Sequence, residues 1–211
     1  MAGDERRVGR RGLSIEPGDA PPGGVAVASS RRNGKTGAMS ESHFGSDHDG
    51  DHPDRTAEWE RLRTQYLQPK GERPPSTARG VHHQALLSSD VATTIEFYQG
   101  LLEFPLTELF ENRDYVGSTH FFFDIGNGNA LAFFDFPGLG LGPYEEVLGG
   151  HHHLAISVDR VQWERLRAKL GAAGVETFVV ADTSIYFAGP DGERLELISD
   201  PLGEMYGMSV V

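Results

Sequence analysis

From Gly80 onward the chain alternates apolar and polar residues in short runs broken by glycine-rich turns, and the order of those runs occurs twice. In the second run Leu154, Ile156 and Val158 take one parity, and His153, Ala155 and Ser157 the other. A strand sends successive side chains to opposite faces, so each set belongs to one side of a sheet. Leu195 and Leu197 likewise oppose Arg194, Glu196 and Ile198; Leu131 and Phe133 oppose Ala130, Ala132 and Phe134. Between the first strands, Val91, Ile95, Tyr98 and Leu102 follow a helical spacing behind Asp90, a residue suited to an N-cap. The pattern predicts strands over 81–88, 105–111, 118–125 and 129–135, with a helix from Asp90 to about Glu103. In the second copy it predicts strands over 151–158, 176–181, 183–188 and 193–198, with a helix over 160–173. The expected fold is α+β. Two tandem βαβββ modules, 80–136 and 150–200, form a curved mixed sheet around a cavity, with helices on the outside.

Upstream, Trp59, Leu62, Tyr66 and Leu67 fall on one face of a helix over 56–68, expected to dock on the domain or on a second subunit. The prolines of 68–80 mark a linker. Residues 1–55 mix Gly, Ser, Arg, Asp and Pro with almost no aromatics and read as a disordered extension. Met39 inside that stretch is an alternative start, which leaves the first residue open between Met1 and Met39. The domain itself is 80–211, with a short C-terminal tail.

The repeat carries ligand chemistry. Sliding GVHHQALLSSD over GHHHLAISVDR places His83 on His153, and the closing strands place Ala132 on Glu196. Two histidines and a carboxylate at equivalent places form a set that holds a divalent metal and leaves positions open. An unpaired carboxylate facing an apolar cavity needs a cation. Arg194, on the same face, is the alternative to a metal. His82, His151 and His152 read as solvated or outer residues, with His151 at the rim. His43, His48 and His52 lie in a solvated acidic run, and Asp191-Gly192 reads as a hairpin turn. His120 shares parity with Phe122, a pocket-lining candidate along with Phe134, and is a candidate for proton transfer.

Charge and composition narrow the classes. The chain of 211 residues has net charge −12. Residues 81–211 hold 6 basic against 19 acidic side chains, a net charge of −13, which repels a phosphate backbone and disfavours nucleic acid. There is no cysteine, which removes disulfides and thiolate metal sites. No run approaches a membrane span or a signal peptide, so the expected location is the cytoplasm, with no membrane partner.

The pieces HHQALLSSD and TIEFYQGLLEF in the first copy, with HHHLAISVD and GPDGERLEL in the second, resemble the vicinal oxygen chelate superfamily over about residues 80–200. That superfamily includes glyoxalase I, extradiol dioxygenases and the fosfomycin- and bleomycin-resistance proteins. The resemblance implies that His83, His153 and Glu196 bind the metal, with His83 preferred to His82 because the family ligand stands seven residues before the capping Asp, here Asp90. It implies Fe(II) first, with Mn(II), Zn(II), Ni(II) or Co(II) as alternatives. The implied substrate is a small molecule chelated through adjacent oxygens, and a homodimer is the suggested assembly. It implies a ring-cleaving dioxygenase, with Tyr186 hydrogen-bonding a chelated oxygen. The alternatives are a glyoxalase-like lyase or isomerase, a thiol transferase, and a metal-free drug-binding protein. The chain departs from the pattern at Ala132, where glyoxalase I has a fourth ligand, and at 177–184, where common extradiol enzymes have a histidine. Glu103 stands in place of the usual glycine after the first helix.

Overall fold

The computed structural model describes residues 53–211; the reading of the extension and of the alternative start falls outside them, apart from the last three residues of 1–55. Helix α1 spans Thr56–Tyr66 and leads through a single 3-10 turn, Lys70–Glu72, into the domain. None of its residues is buried, and Trp59, Tyr66 and Leu67 are exposed. Its apolar stripe is therefore not sunk into the domain of its own chain.

The first module consists of β1 (His83–Leu87), α2 (Val91–Ile95, continued by a wider π turn over Glu96–Leu101), β2 (Leu106–Glu111), β3 (Thr119–Asp124) and β4 (Ala130–Phe134). The second consists of β5 (Leu154–Ser157), α3 (Arg160–Ala172), β6 (Phe178–Val180), β7 (Ser184–Ala188) and β8 (Arg194–Ile198). The first helix starts at the predicted Asp90, whose carboxylate accepts from Thr93 N at 2.7 Å, and the second is capped in the same way by Asp159, which accepts from Gln162 N at 2.8 Å. Each module builds its own four-stranded sheet, ordered β1-β4-β3-β2 and β5-β8-β7-β6, with one parallel pair and two antiparallel pairs. The βαβββ tandem is thus as read from the sequence.

The two sheets pack on one shared core. They are not hydrogen-bonded to one another. One apolar core runs through both modules, including Leu86, Tyr98, Phe121, Phe123, Leu131 and Phe133 of the first and Ile156, Trp163, Ile185, Phe187, Leu195 and Leu197 of the second. The helices belong to this shared core. The adjacent pair Phe97 and Tyr98 bridges the modules: Tyr98 packs on Phe133 at 4.9 Å and Phe123 at 5.4 Å, while Phe97 meets Phe187 at 6.3 Å. The Tyr98 hydroxyl donates to Glu193 Oε1 at 2.7 Å, and Ser89 N donates to Asp191 Oδ2 at 3.0 Å. The Pro-Asp-Gly-Glu turn is thus more than a hairpin turn, because its carboxylates hold the first module. Gly189 is required beside it, since a Cβ there would lie 1.9 Å from Glu193 Oε1. Sharing a core costs less surface than covering each sheet separately, which is why the apolar faces turn toward each other.

Glu103 keeps the backbone conformation of the glycine it replaces. Its φ is +63, the left-handed value that glycine ordinarily takes after a helix. Its carboxylate reaches Arg165 and Lys169 of α3, with Lys169 Nζ at 2.7 Å, and these cations hold its pKa down at about 2. Both pairs are solvent-exposed and weak. Replacing Glu103 by Gly removes them while relieving the backbone, so we expect a thermal midpoint close to the wild type, read by circular dichroism.

Candidate metal centre

The pleat places the candidate residues on the sheet faces that turn away from the shared core. On the second sheet Ala155, Glu196, Tyr186 and Phe178 stand in register across four strands, backed by Leu195, Leu197, Ile185 and Phe187 on the core side. His153 immediately precedes β5. Its Nε2 lies 3.0 Å from Glu196 Oε2, and its ring meets that of Tyr186 edge-on at 5.5 Å. Glu196 is 0% exposed. Burial pushes its carboxyl pKa up, but His153, Ser184 and Tyr186 outweigh that and leave it lowered, so it is ionised. Yet neither of its oxygens receives a well-aligned hydrogen bond, and Ser184 Oγ beside it is buried without a partner as well. Such a carboxylate is the state a cation relieves. The 3.0 Å spacing is also that of two neighbouring ligands each about 2.1 Å from one octahedral ion. The donors fit a divalent metal.

Arg194 shares this face and is largely buried. It pairs with Glu146 of the inter-module loop, and its Nη1 approaches His152 Nε2 at 2.9 Å. The loop is held by Tyr144, whose hydroxyl donates to His151 O and whose ring stacks on His151 at 4.9 Å. His152 and His153 meet through their Nδ1 atoms at 2.7 Å, and His82 and His83 repeat that contact at 2.9 Å. His82 and His152 are therefore outer partners of the candidate ligands. His151 has its pKa lowered by burial and by His153, and its Nε2 is buried without a partner.

On the first sheet His83, Ala85 and Leu87 of β1 pair with Ala130, Ala132 and Phe134 of β4, followed by Asp124, Phe122 and His120 of β3. His83 meets Phe122 edge-on at 6.3 Å. His120 stacks on Phe134 at 3.8 Å, with Phe122 at 4.3 Å and Phe110 at 5.3 Å. Its Nε2 is buried with no partner, and burial followed by the His83 charge lowers its pKa, so it is held neutral. Phe122 and Phe134 thus line this face, as their parity implies, whereas Phe121, Phe123 and Phe133 are core.

His83 does not join His153 and Glu196 in the same chain. Among the described residues no three of His, Cys, Asp and Glu stand close enough to hold one ion. Both ligand faces lie opposite the core that the two sheets share, so they point apart. The sequence carries the parity of each residue, but nothing in it states which pair of faces meets.

The model of the glyoxalase/bleomycin resistance protein/dioxygenase superfamily matches residues 80–197. The chain belongs to that superfamily. Among solved structures, a glyoxylase/bleomycin resistance protein/dioxygenase domain from Frankia sp. EAN1pec is 20% identical with a TM-score of 0.52, covering 59% of this chain and 100% of its own. The fosfomycin resistance protein FosX from Mesorhizobium loti is 20% identical with a TM-score of 0.48, covering 60% and 95%. A glyoxalase family protein from Enterococcus faecalis is 27% identical with a TM-score of 0.47, covering 57% and 97%. A FosX from Listeria monocytogenes was solved with Mn(II) and a dihydroxypropylphosphonic acid. The superfamily includes metalloenzymes that bind small molecules. No helix among the described residues is long and apolar enough to cross a membrane.

Proposed function

We propose that this chain is a metal-dependent oxidoreductase of the ring-cleaving dioxygenase type, acting in the cytoplasm as a homodimer on a small substrate with two adjacent oxygens. The observation that supports this most is Glu196, a buried carboxylate beside His153 with both oxygens lacking well-aligned donors. Nitrogen and oxygen donors without sulfur suit Fe(II), our first choice, and also Mn(II), Zn(II), Ni(II) or Co(II). His153 and Glu196 supply two ligands. The third is His83 of a second copy, since its own face turns away from them. A twofold axis that lays the first module of one copy over the second module of the other makes two such sites at once.

When bound, a divalent ion supplies Lewis acidity and brings the two substrate oxygens together. The work of the chain lies around it. Burial, Glu196 and Tyr206 raise the pKa of the Tyr186 hydroxyl well above the usual phenol value, so Tyr186 stays protonated and donates to a substrate oxygen. His120 travels with His83 into the same cavity. Neutral and unpartnered at Nε2, it accepts the proton a substrate hydroxyl gives up, the role that the histidine absent from 177–184 leaves vacant. Phe122 and Phe134 close the wall and keep water out.

The test is protein loaded anaerobically with Fe(II). We expect one ion per chain and oxygen uptake with at least one of a panel of catechols. Retained metal with no uptake, together with thiol adduct formation under Mn(II) or Zn(II), turns the assignment to the glyoxalase-like or thiol-transferase alternative. Failure to retain any metal turns it to the drug-binding alternative.

A further inference from the structure

Residues 81–211 hold 6 basic side chains, and Arg194 is the one of them that is buried. Arg160, Arg165, Arg167 and Lys169 all stand on α3, and Arg113 lies exposed after β2. Arg194 opens β8, and its parity places it on the face of Glu196, two residues and about 7 Å away along the strand. A guanidinium taken out of water needs partners. Arg194 gives Nη2 to the carboxylate of Glu146 and Nη1 to His152 Nε2 at 2.9 Å. His152 meets His153 through the Nδ1 atoms at 2.7 Å, and His153 Nε2 lies 3.0 Å from Glu196 Oε2. An unbroken line of contacts thus runs from a loop carboxylate to the candidate ligands. The loop end of that line is lightly held. Val147 and Leu148, which follow Glu146, are exposed, so apolar burial does not fix this stretch. Tyr144 anchors the loop separately: its N donates to Asp191 O at 2.9 Å and its hydroxyl to His151 O. Glu146 can therefore leave Arg194 while the root of the loop stays in place.

We propose that Arg194 is a specificity residue of the metal site: it receives a carboxylate carried by the chelated substrate, and Glu146 fills that seat until the substrate enters. This rests on the metal-chelate reading above and narrows it to a dihydroxy aromatic acid. A guanidinium takes a carboxylate through two parallel N–H bonds, and Glu146 already sets a carboxylate against one of its nitrogens. The net charge of −13 over 81–211 repels an acidic ligand, so such a ligand needs a cation on the face it enters, and Arg194 is that cation. The strand span from Glu196 to Arg194 is one that a single aromatic ring bridges, with the two hydroxyls toward the metal and the acid group at the far edge. Release of Glu146 costs little, because an exposed carboxylate regains its water.

The test uses the full chain loaded with Mn(II), its metal content measured first, and calorimetric titration with 3,4-dihydroxybenzoate and with catechol. The two ligands chelate alike and differ in the carboxylate. Wild type is expected to bind dihydroxybenzoate about tenfold more tightly than catechol, and Arg194→Met to erase that preference while catechol affinity stays within about twofold. Glu146→Gln removes the competing carboxylate, so dihydroxybenzoate affinity rises by at least about threefold and catechol affinity holds. Glu145→Gln removes the same charge one residue away and leaves both affinities within about twofold, which separates a vacated seat from a general change in charge. A wild type without the preference, a preference that survives in Arg194→Met, or equal effects of the two loop variants overturns the inference. Should Arg194→Met fail to fold, the loop variants decide. Mn(II) uptake without the preference sinks this inference alone; no uptake by wild type sinks the metal reading and this inference with it.

Discussion

Mixing two inactive variants is expected to restore metal binding. His83→Ala and Glu196→Ala homodimers each lack a ligand in both sites, and both are expected to lose metal affinity by at least about a hundredfold. In a mixed dimer one site collects both defects. The other receives His83 from the Glu196→Ala copy and His153 with Glu196 from the His83→Ala copy, and is whole. Random exchange at equal amounts makes about half the dimers mixed, so about a quarter of the wild-type metal content returns. Elemental analysis after subunit exchange reads this directly. A site closed within one chain gives no recovery, since every chain in the mixture is then defective. His153→Ala mixed with Glu196→Ala is the internal control: both ligands come from the same face of the same copy, so that pair is expected to recover nothing.

The largest expected effect on stability lies at the strut between modules. Tyr98→Phe removes the hydroxyl that donates to Glu193 and leaves a buried carboxyl with one donor fewer. We expect a loss of about 1–3 kcal/mol, the usual cost of stranding a buried polar group. For a domain of this size that lowers the thermal midpoint by roughly 2–4 °C per kcal/mol. The pH dependence distinguishes this from a packing defect. Burial raises the Glu193 pKa above its ordinary 4.5, and the hydroxyl of Tyr98 and the amide of Asp191 pull it part of the way back. A carboxyl whose folded pKa is raised favours the fold while it is protonated, below the unfolded pKa. That contribution is lost as pH rises through the folded pKa. Removing the Tyr98 donor raises the folded pKa further, so the variant should lose more stability at neutral pH than in mild acid. Denaturant unfolding of both proteins at the two pH values checks the sign, and an equal loss at both would make Tyr98 a packing residue only.

Much of this architecture is written locally. Asp90 and Asp159 cap helices because a short carboxylate reaches the free amides of a first turn whatever lies beyond it. The parity of Leu195, Leu197, Arg194 and Glu196 is fixed by the pleat of a single strand, and so is that of Phe122 against Phe121 and Phe123. The duplication, the strand limits to within one to three residues, and the pairing of His153 with Glu196 on one face follow from such short-range rules. Two features lay beyond them. Glu103 takes a left-handed φ where its carboxylate meets Arg165 and Lys169, more than sixty residues away. The direction in which the sheets face was decided last. Alternation assigns two faces to each sheet without saying which faces meet, and here the apolar faces meet around Phe97, Tyr98 and Trp163. The chain's own residues therefore determine which side chains can be ligands. Only burial of the common core determines that the face of His83 and the face of Glu196 point apart, because removing the largest apolar area from water outweighs any polar preference of the outer faces.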